Sequence, residues 1–196
     1  MKTFKQFFTE QQSKYLILLP GGYKPPTKGH VHMIKSYNDN PLVEKVIVLI
    51  GPKEREGIVR EQSLKVFDLY GANKLSKVEI DSTNFENPMV AAFDFVEKDP
   101  RAEKYTGLTF AIGASDKGDD AKRSSRLVDY FQKHPEKLKP GLKVAIPPIV
   151  KALETPEGAV SATDLREAIR NKDLQTISKL IPSDVSPEEF LSIFNK

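Results

Sequence analysis

The sequence predicts an α/β protein: a Rossmann-like parallel five-stranded sheet with helices on both faces and further helices at the C-terminus. Three observations carry this. Five short apolar runs are continuous rather than alternating, as strands buried on both faces of a parallel sheet require. Most of these runs stop abruptly at Gly or Pro. Segments of helical periodicity lie between them, so strand and helix alternate along the chain, the pattern of βαβ units with right-handed crossovers.

The elements follow in order. Tyr15–Leu19 (Tyr-Leu-Ile-Leu-Leu) reads as the first strand and ends at Pro20-Gly21-Gly22. Gly29–Tyr37 is the first helical pattern. Val46–Ile50 is a β-branched run ended by Gly51-Pro52, and Glu61–Tyr70 is helical. Val78–Ile80 is a short third strand, followed by a helix over Met89–Val96. Leu108–Ile112 stops at Gly113 and precedes a helix over Arg123–Gln132. Leu142–Ile146 stops at Pro147-Pro148. Helices over Thr163–Asn171, Leu174–Leu180 and Pro187–Phe194 close the chain. In such sheets a ligand sits beyond the carboxyl ends of the strands, so the loop after the first strand is the first place to look.

Composition narrows the chemistry. A chain of 196 residues suits one domain with a full core, expected over 15–196. Lys plus Arg is 30 against 27 for Asp plus Glu, a net charge of +3. So small a surplus does not point to nucleic acid as a partner. With no cysteine, thiolate metal sites, disulfides and a cysteine nucleophile are excluded. The three histidines are His30, His32 and His134, so any histidine chemistry falls on these positions. The apolar runs are far shorter than the roughly 20 residues of a membrane helix, and the N-terminus has no secretory h-region. A cytoplasmic protein without a membrane partner is expected.

The loop after the first strand reads Pro20-Gly21-Gly22-Tyr23-Lys24-Pro25-Pro26-Thr27-Lys28-Gly29-His30. Gly21 and Gly22 let backbone N–H groups approach a ligand. Two prolines stiffen the turn. Gly29-His30 opens a helix whose free N–H groups and dipole favour a phosphate. Downstream, Ser161-x-x-Asp164 is a capping-box pattern. Ser161 can cap a helix start, Thr163 adds a hydroxyl, and Arg166 lies within one turn of Thr163, from where its guanidinium can fork onto a phosphate.

Taken together, the two boxes resemble the signatures of the nucleotidyltransferase superfamily. Its loop is commonly Gly-x-Phe-x-Pro-x-His/Thr-x-Gly-His, matched here by Gly21, Tyr23, Pro25, Thr27, Gly29 and His30. The Thr-x-Gly-His form is best known in phosphopantetheine adenylyltransferases; other branches carry His where this chain has Thr27, and a threonine hydroxyl cannot carry charge. Val160-Ser161-Ala162-Thr163-Asp164-Leu165-Arg166 resembles the family's Ile-Ser-Ser-Thr-x-Ile-Arg box. The resemblance spans about residues 15 to 171, and its sharp parts are these two boxes.

The resemblance implies transfer of a nucleoside monophosphate from an NTP, ATP or CTP with AMP favoured, to a phosphorylated small-molecule acceptor with release of pyrophosphate. It implies that His30 and Thr27 hold the α/β-phosphate region, and that Ser161, Thr163 and Arg166 hold the β- and γ-phosphates. Lys53, after Gly51-Pro52, faces the acceptor phosphate, Lys28 approaches the triphosphate, and Asp116 in the turn after the fourth strand lies near nucleotide or acceptor. Gly21, Gly22, Tyr23 and Gly29 complete the nucleotide side. Mg²⁺ is expected to travel with the NTP rather than in a protein cage. Arg123 and Arg126 read as solvated helix residues. On a helix His32 points away from His30 and reads as structural or exposed; His134 reads as a helix-end residue. His30→Ala is expected to cut turnover about 10²-fold or more with little effect on folding. Acceptor, base and homo-oligomeric state stay open. Gly51–Ile58 with Gln62-Ser63 resembles small phage-encoded members labelled cytidylyltransferases.

A rival class arises at the N-terminus. Phe4, Phe7 and Phe8 fall at helical spacing beside Lys2 and Lys5, an amphipathic segment within residues 1–14. It also resembles capsid-targeting peptides of T4-like phages, cut after a glutamate such as Glu10. That reading implies a virion core protein with a vestigial nucleotide site, whereas a phage-encoded enzyme is expected in the host cytoplasm.

Overall fold

The structure, a computed structural model, describes residues 14–116, 120–155 and 158–195, and only the backbone at 120, 121, 155, 158 and 159. The expected targeting segment lies outside the described residues. Five strands, β1 (Tyr15–Gly21), β2 (Val43–Ile50), β3 (Val78–Ser82), β4 (Thr109–Ile112) and β5 (Lys143–Val144), form one sheet in the order β3-β2-β1-β4-β5. Every pairing in it is parallel. The expected fold class is the one observed. Among the described residues no helix is long and apolar enough to cross a membrane.

The continuous apolar runs are explained by two layers of helix. Leu16, Leu18, Ile47, Leu49, Phe110 and Ile112 face α3 (Pro88–Glu97) and α4 (Asp120–Lys133), meeting Phe95, Val96, Leu127 and Phe131. The intervening residues Ile17, Leu19, Val46, Val48, Ile50 and Ala111 face the other way. They meet Ile34 and Tyr37 of α1 (Lys28–Asp39) and Phe67 of α2 (Arg60–Leu69). Side chains alternate across the pleat, so only a strand apolar at every position can fill both layers. The closing helices α5 (Ala162–Asn171), α6 (Leu174–Leu180) and α7 (Pro187–Ser192) build a third cluster. There Leu165, Ala168, Ile177 and Phe190 pack on Val31 of α1 and on Val66 and Tyr70 beside α2. This brings α5, the downstream box, next to α1, the loop box.

Four strands differ most from expectation. β1 runs through Pro20 to Gly21, although proline cannot donate to a ladder. The pairing explains it. β1 stays with β2 as far as Gly21↔Ile50, but its pairing with β4 ends at Leu18↔Ile112. The Leu18 carbonyl accepts the Gly113 N–H, while the Gly21 carbonyl accepts the Gly51 N–H. Backbone groups alternate sides, so Pro20 faces the side that β4 has already left, and no ladder bond is lost. β5 is only two residues long: after Ala145 N–H donates to the Phe110 carbonyl, Pro147-Pro148 remove the next donors. Finally, β6 (Glu154–Thr155) and β7 (Gly158–Ala159) form an antiparallel pair, too short for any periodicity to reveal.

Candidate active site

Where β4 parts from β1 the sheet opens into a cavity of about 540 Å³ at the carboxyl ends of β1, β2 and β4, walled by Gly21, Gly22, Gly51, Ile112 and Gly113. This is the switch point of a doubly wound sheet. A Cβ on Gly21 would come within 2.6 Å of the Tyr23 ring, so only glycine lets that ring fold back. Tyr23 itself adopts φ 51, in the left-handed region. Its hydroxyl donates to the Leu19 carbonyl at 2.9 Å. Its ring meets His30 edge-on at 5.0 Å and Phe67 at 5.3 Å. The motif's aromatic is thus a buttress beneath His30 as well as a wall residue.

His30 occupies the third position of α1. Its Nδ1 lies 3.0 Å from the Thr27 backbone nitrogen and 3.0 Å from Thr27 Oγ1. A backbone N–H can only donate, so Nδ1 is the acceptor and the neutral ring carries its proton on Nε2. The capping arrangement therefore fixes ring orientation and tautomer together. It also amends the expectation for His30→Ala: removing the ring strips α1 of a cap and Tyr23 of an edge contact, so folding stability falls as well. Thr27, 2% exposed, serves the same arrangement.

Around His30 the expected residues divide. Lys53 lines the large cavity on an exposed stretch with Glu54 and Arg55, and Arg123 also contributes to its wall. Arg166 lines it too and is 4% exposed. Its guanidinium is held on three sides: Nε donates to Glu56 at 2.7 Å, Nη1 to the Lys24 carbonyl at 3.1 Å and Nη2 to Thr163 Oγ1 at 2.9 Å. Five guanidinium N–H groups exist, so two remain for a ligand. Thr163 thus holds Arg166. Ser161 Oγ accepts the Thr163 and Asp164 N–H groups at 3.1 and 3.3 Å. Both sit beside the cavity rather than in its wall, where Ala162 of the same turn is found.

A second cavity of about 210 Å³ adjoins the first, sharing His30, Met33 and Ala162, and is walled by Thr27, Gly29, Ser115 and the segment Val150–Leu153. A Cβ on Gly29 would lie 3.6 Å from Thr27 Oγ1 and 3.7 Å from Val160. Asp116 lines neither cavity; its carboxylate accepts the Ala152 N–H at 2.7 Å and so holds this wall. His32 Nε2 is 3.0 Å from the Lys151 carbonyl and pins the same segment from α1. The buried Tyr37 hydroxyl accepts the Ala114 N–H at 2.9 Å and lies 2.9 Å from the Pro148 carbonyl. Lys28 lines neither cavity, and Arg126 is exposed and lines neither.

A buried cation in the wall escaped sequence reasoning. Lys24, between the aromatic and Pro25, is 3% exposed and lines the large cavity. Its ammonium donates to the Gly22 carbonyl at 2.8 Å and the Gly51 carbonyl at 2.9 Å. Burial, and then the Arg60 charge, lower its pKa, with Glu61 opposing. The only available signal was its place inside the motif. Glu56 was likewise invisible as a partner of Arg166; it sits in a tight turn, Glu56-Gly57, with both φ values positive.

No family model and no curated protein matches the chain. Solved structures share its fold. A bifunctional NMN adenylyltransferase/ADP-ribose pyrophosphatase from Francisella tularensis, complexed with AMP and a Mn ion, superposes with a TM-score of 0.58 at 17% identity over 92% of this chain and 49% of that one. A second structure of that bifunctional protein gives 0.55 at 18%. A Plasmodium falciparum nicotinic acid mononucleotide adenylyltransferase complexed with APC gives 0.50 at 13% identity, over 92% of this chain and 97% of that one. The chain thus spans about half the length of the Francisella protein.

Proposed function

We propose that residues 15–196 form a nucleotidyltransferase domain that moves a nucleoside monophosphate, AMP in preference to CMP, from an NTP to a phosphorylated small molecule. The observation that carries this reading is His30, locked by Thr27 at the start of α1 where two unequal cavities meet. The two motif boxes and the shared fold of adenylyltransferases support it.

In this reading the smaller cavity takes the base against the Val150–Leu153 backbone, and the larger takes the phosphates and the acceptor. An acceptor phosphate oxygen attacks the α-phosphorus in line, and the α–β bridging bond breaks to release pyrophosphate. The Nε2–H of His30 donates to an oxygen of the α-phosphate as negative charge builds there. The remaining N–H groups of Arg166 and the cation of Lys53 act on the outer phosphates. The two cavities hold the reacting groups in register, which lowers the entropic part of the barrier. Fixed donors need no reorganisation during the step, which lowers the electrostatic part. Among the described residues no three His, Cys, Asp or Glu side chains are grouped to hold a metal. A divalent ion here fits the oxygens of the triphosphate itself, with Glu54 and Glu86 as the carboxylates in the wall. Such an ion neutralises phosphate charge when bound.

A pyrophosphate-release screen tests the proposal, offering ATP·Mg and CTP·Mg with a panel that includes nicotinamide and nicotinate mononucleotides, phosphopantetheine and small phosphorylated alcohols. Turnover with ATP and one acceptor is expected. Turnover with CTP alone would make the enzyme a cytidylyltransferase. Failure of both nucleotides to bind would overturn the reading in favour of a structural protein.

A further inference from the structure

A buried ammonium is costly unless hydrogen bonds and a counter-charge offset its lost hydration. Lys24 has the hydrogen bonds but no carboxylate in contact: the charge of Glu61 acts on it from a distance and is outweighed by that of Arg60. Two of its three donors go to the Gly22 and Gly51 carbonyls, and among the described residues no carboxylate forms an ion pair with it. Both carbonyls belong to wall residues of the large cavity, as does Lys24. Its ammonium therefore lies at the seam between the loop after β1 and the loop after β2, with one N–H left over. The other nearby cations differ in kind. Lys53 stands on an exposed stretch, and Arg166 already carries Glu56.

We infer that Lys24 is the anion seat of the large cavity and binds the phosphate monoester of the acceptor. The inference rests on the nucleotidyltransferase reading for the word acceptor, though not for the anion. A dianion at Lys24 would supply a counter-charge in contact and the third hydrogen-bond partner. Charge-assisted bonds of this type are short and strong. The carbonyl anchors hold the ammonium in place, so little side-chain freedom is lost when the ligand arrives. Lys24 also screens the repulsion between the attacking phosphate and the triphosphate, a repulsion any such transfer must overcome. The seat selects for a terminal phosphate monoester, because a neutral hydroxyl acceptor would leave the ammonium unpaired.

The test uses the full chain with ribose 5-phosphate as the monoester probe and ATP·Mg as the nucleotide probe, both read by calorimetry. Lys24→Met should weaken ribose 5-phosphate at least tenfold while ATP·Mg changes less than threefold. Lys24→Gln, which keeps a polar N–H₂ group on a side chain one bond shorter and removes the charge, should do the same. Where either variant melts well below the wild type, the wild-type chain with isotope-labelled lysine side chains serves instead. One lysine signal should titrate below the rest and move to higher pH when ribose 5-phosphate is added. Unchanged monoester affinity in a folded variant, or the absence of such a responsive signal, overturns the inference. Lost ATP·Mg binding in the wild type would instead overturn the nucleotidyltransferase reading and leave the seat standing as an anion site.

Discussion

His30 caps α1 and, in the proposed mechanism, donates to the α-phosphate, two roles that one substitution would confuse and two substitutions separate. Its Nδ1 accepts the Thr27 N–H at 3.0 Å and its ring meets Tyr23 edge-on at 5.0 Å. A lost helix cap costs about 1 kcal/mol. A lost aromatic contact costs about 0.5–1.5 kcal/mol. His30→Ala should therefore destabilise the fold by roughly 1–3 kcal/mol, which for a chain of this size lowers Tm by roughly 2–12 °C. An asparagine side chain carries Oδ1 on Cγ, where the histidine ring carries Nδ1, so His30→Asn should keep the cap while losing the ring contact to Tyr23 and the outward donor. Its melting temperature should stay above that of the alanine variant. Both variants should lose turnover about 10²–10³-fold, the usual worth of one positioned donor to a developing oxyanion. Thermal melts and pyrophosphate release read the two effects separately. Near wild-type turnover in folded His30→Asn would refute the catalytic role, and an unshifted melt of His30→Ala would refute the capping role.

Two further outcomes follow from the geometry. Tyr37→Phe leaves the buried Ala114 N–H without its acceptor and should cost about 1–3 kcal/mol. Because the same hydroxyl ties Pro148 to this turn, ATP affinity should fall severalfold with it, read by thermal melts and calorimetry. Asp99 is pulled in opposite directions: burial raises its pKa, and hydrogen bonds and charge from Arg101 more than offset this, so the folded value lies below the unfolded one. Its contribution to stability is then present above the unfolded pKa of about 3.9 and lost as pH falls through the folded value. Asp99→Asn should lower the urea midpoint at neutral pH and flatten its decline below about pH 4, while the wild type keeps the steeper acid slope.

The fold was legible because its signals are local. Ile17–Leu19 and Val46–Ile50 announce strands covered on both faces, and Ser161 and Gly29-His30 announce helix starts from within a few residues. The short pieces were not legible. Two residues of β6 or β7 carry no period, and the two-residue β5 depends on proline placement after it. Within the site, His30 was found because its neighbours in the chain are also its partners: Thr27 lies three positions away and supplies the hydrogen bond. Arg166 was found as a cation but not as a member of a network, since Glu56 is 110 residues distant.

The sequence alone therefore determined an alternating α/β chain, a glycine- and proline-stiffened loop after its first strand, and one histidine at a helix start. Periodicity, capping and turn chemistry act over a few residues and need no partner from elsewhere. Tertiary structure alone decided what surrounds that histidine. It placed the Gly51 carbonyl over Lys24, brought Glu56 against Arg166, and closed a second cavity with Val150–Leu153. These contacts join segments tens of residues apart, and they exist because β1 continues past the point where β4 departs.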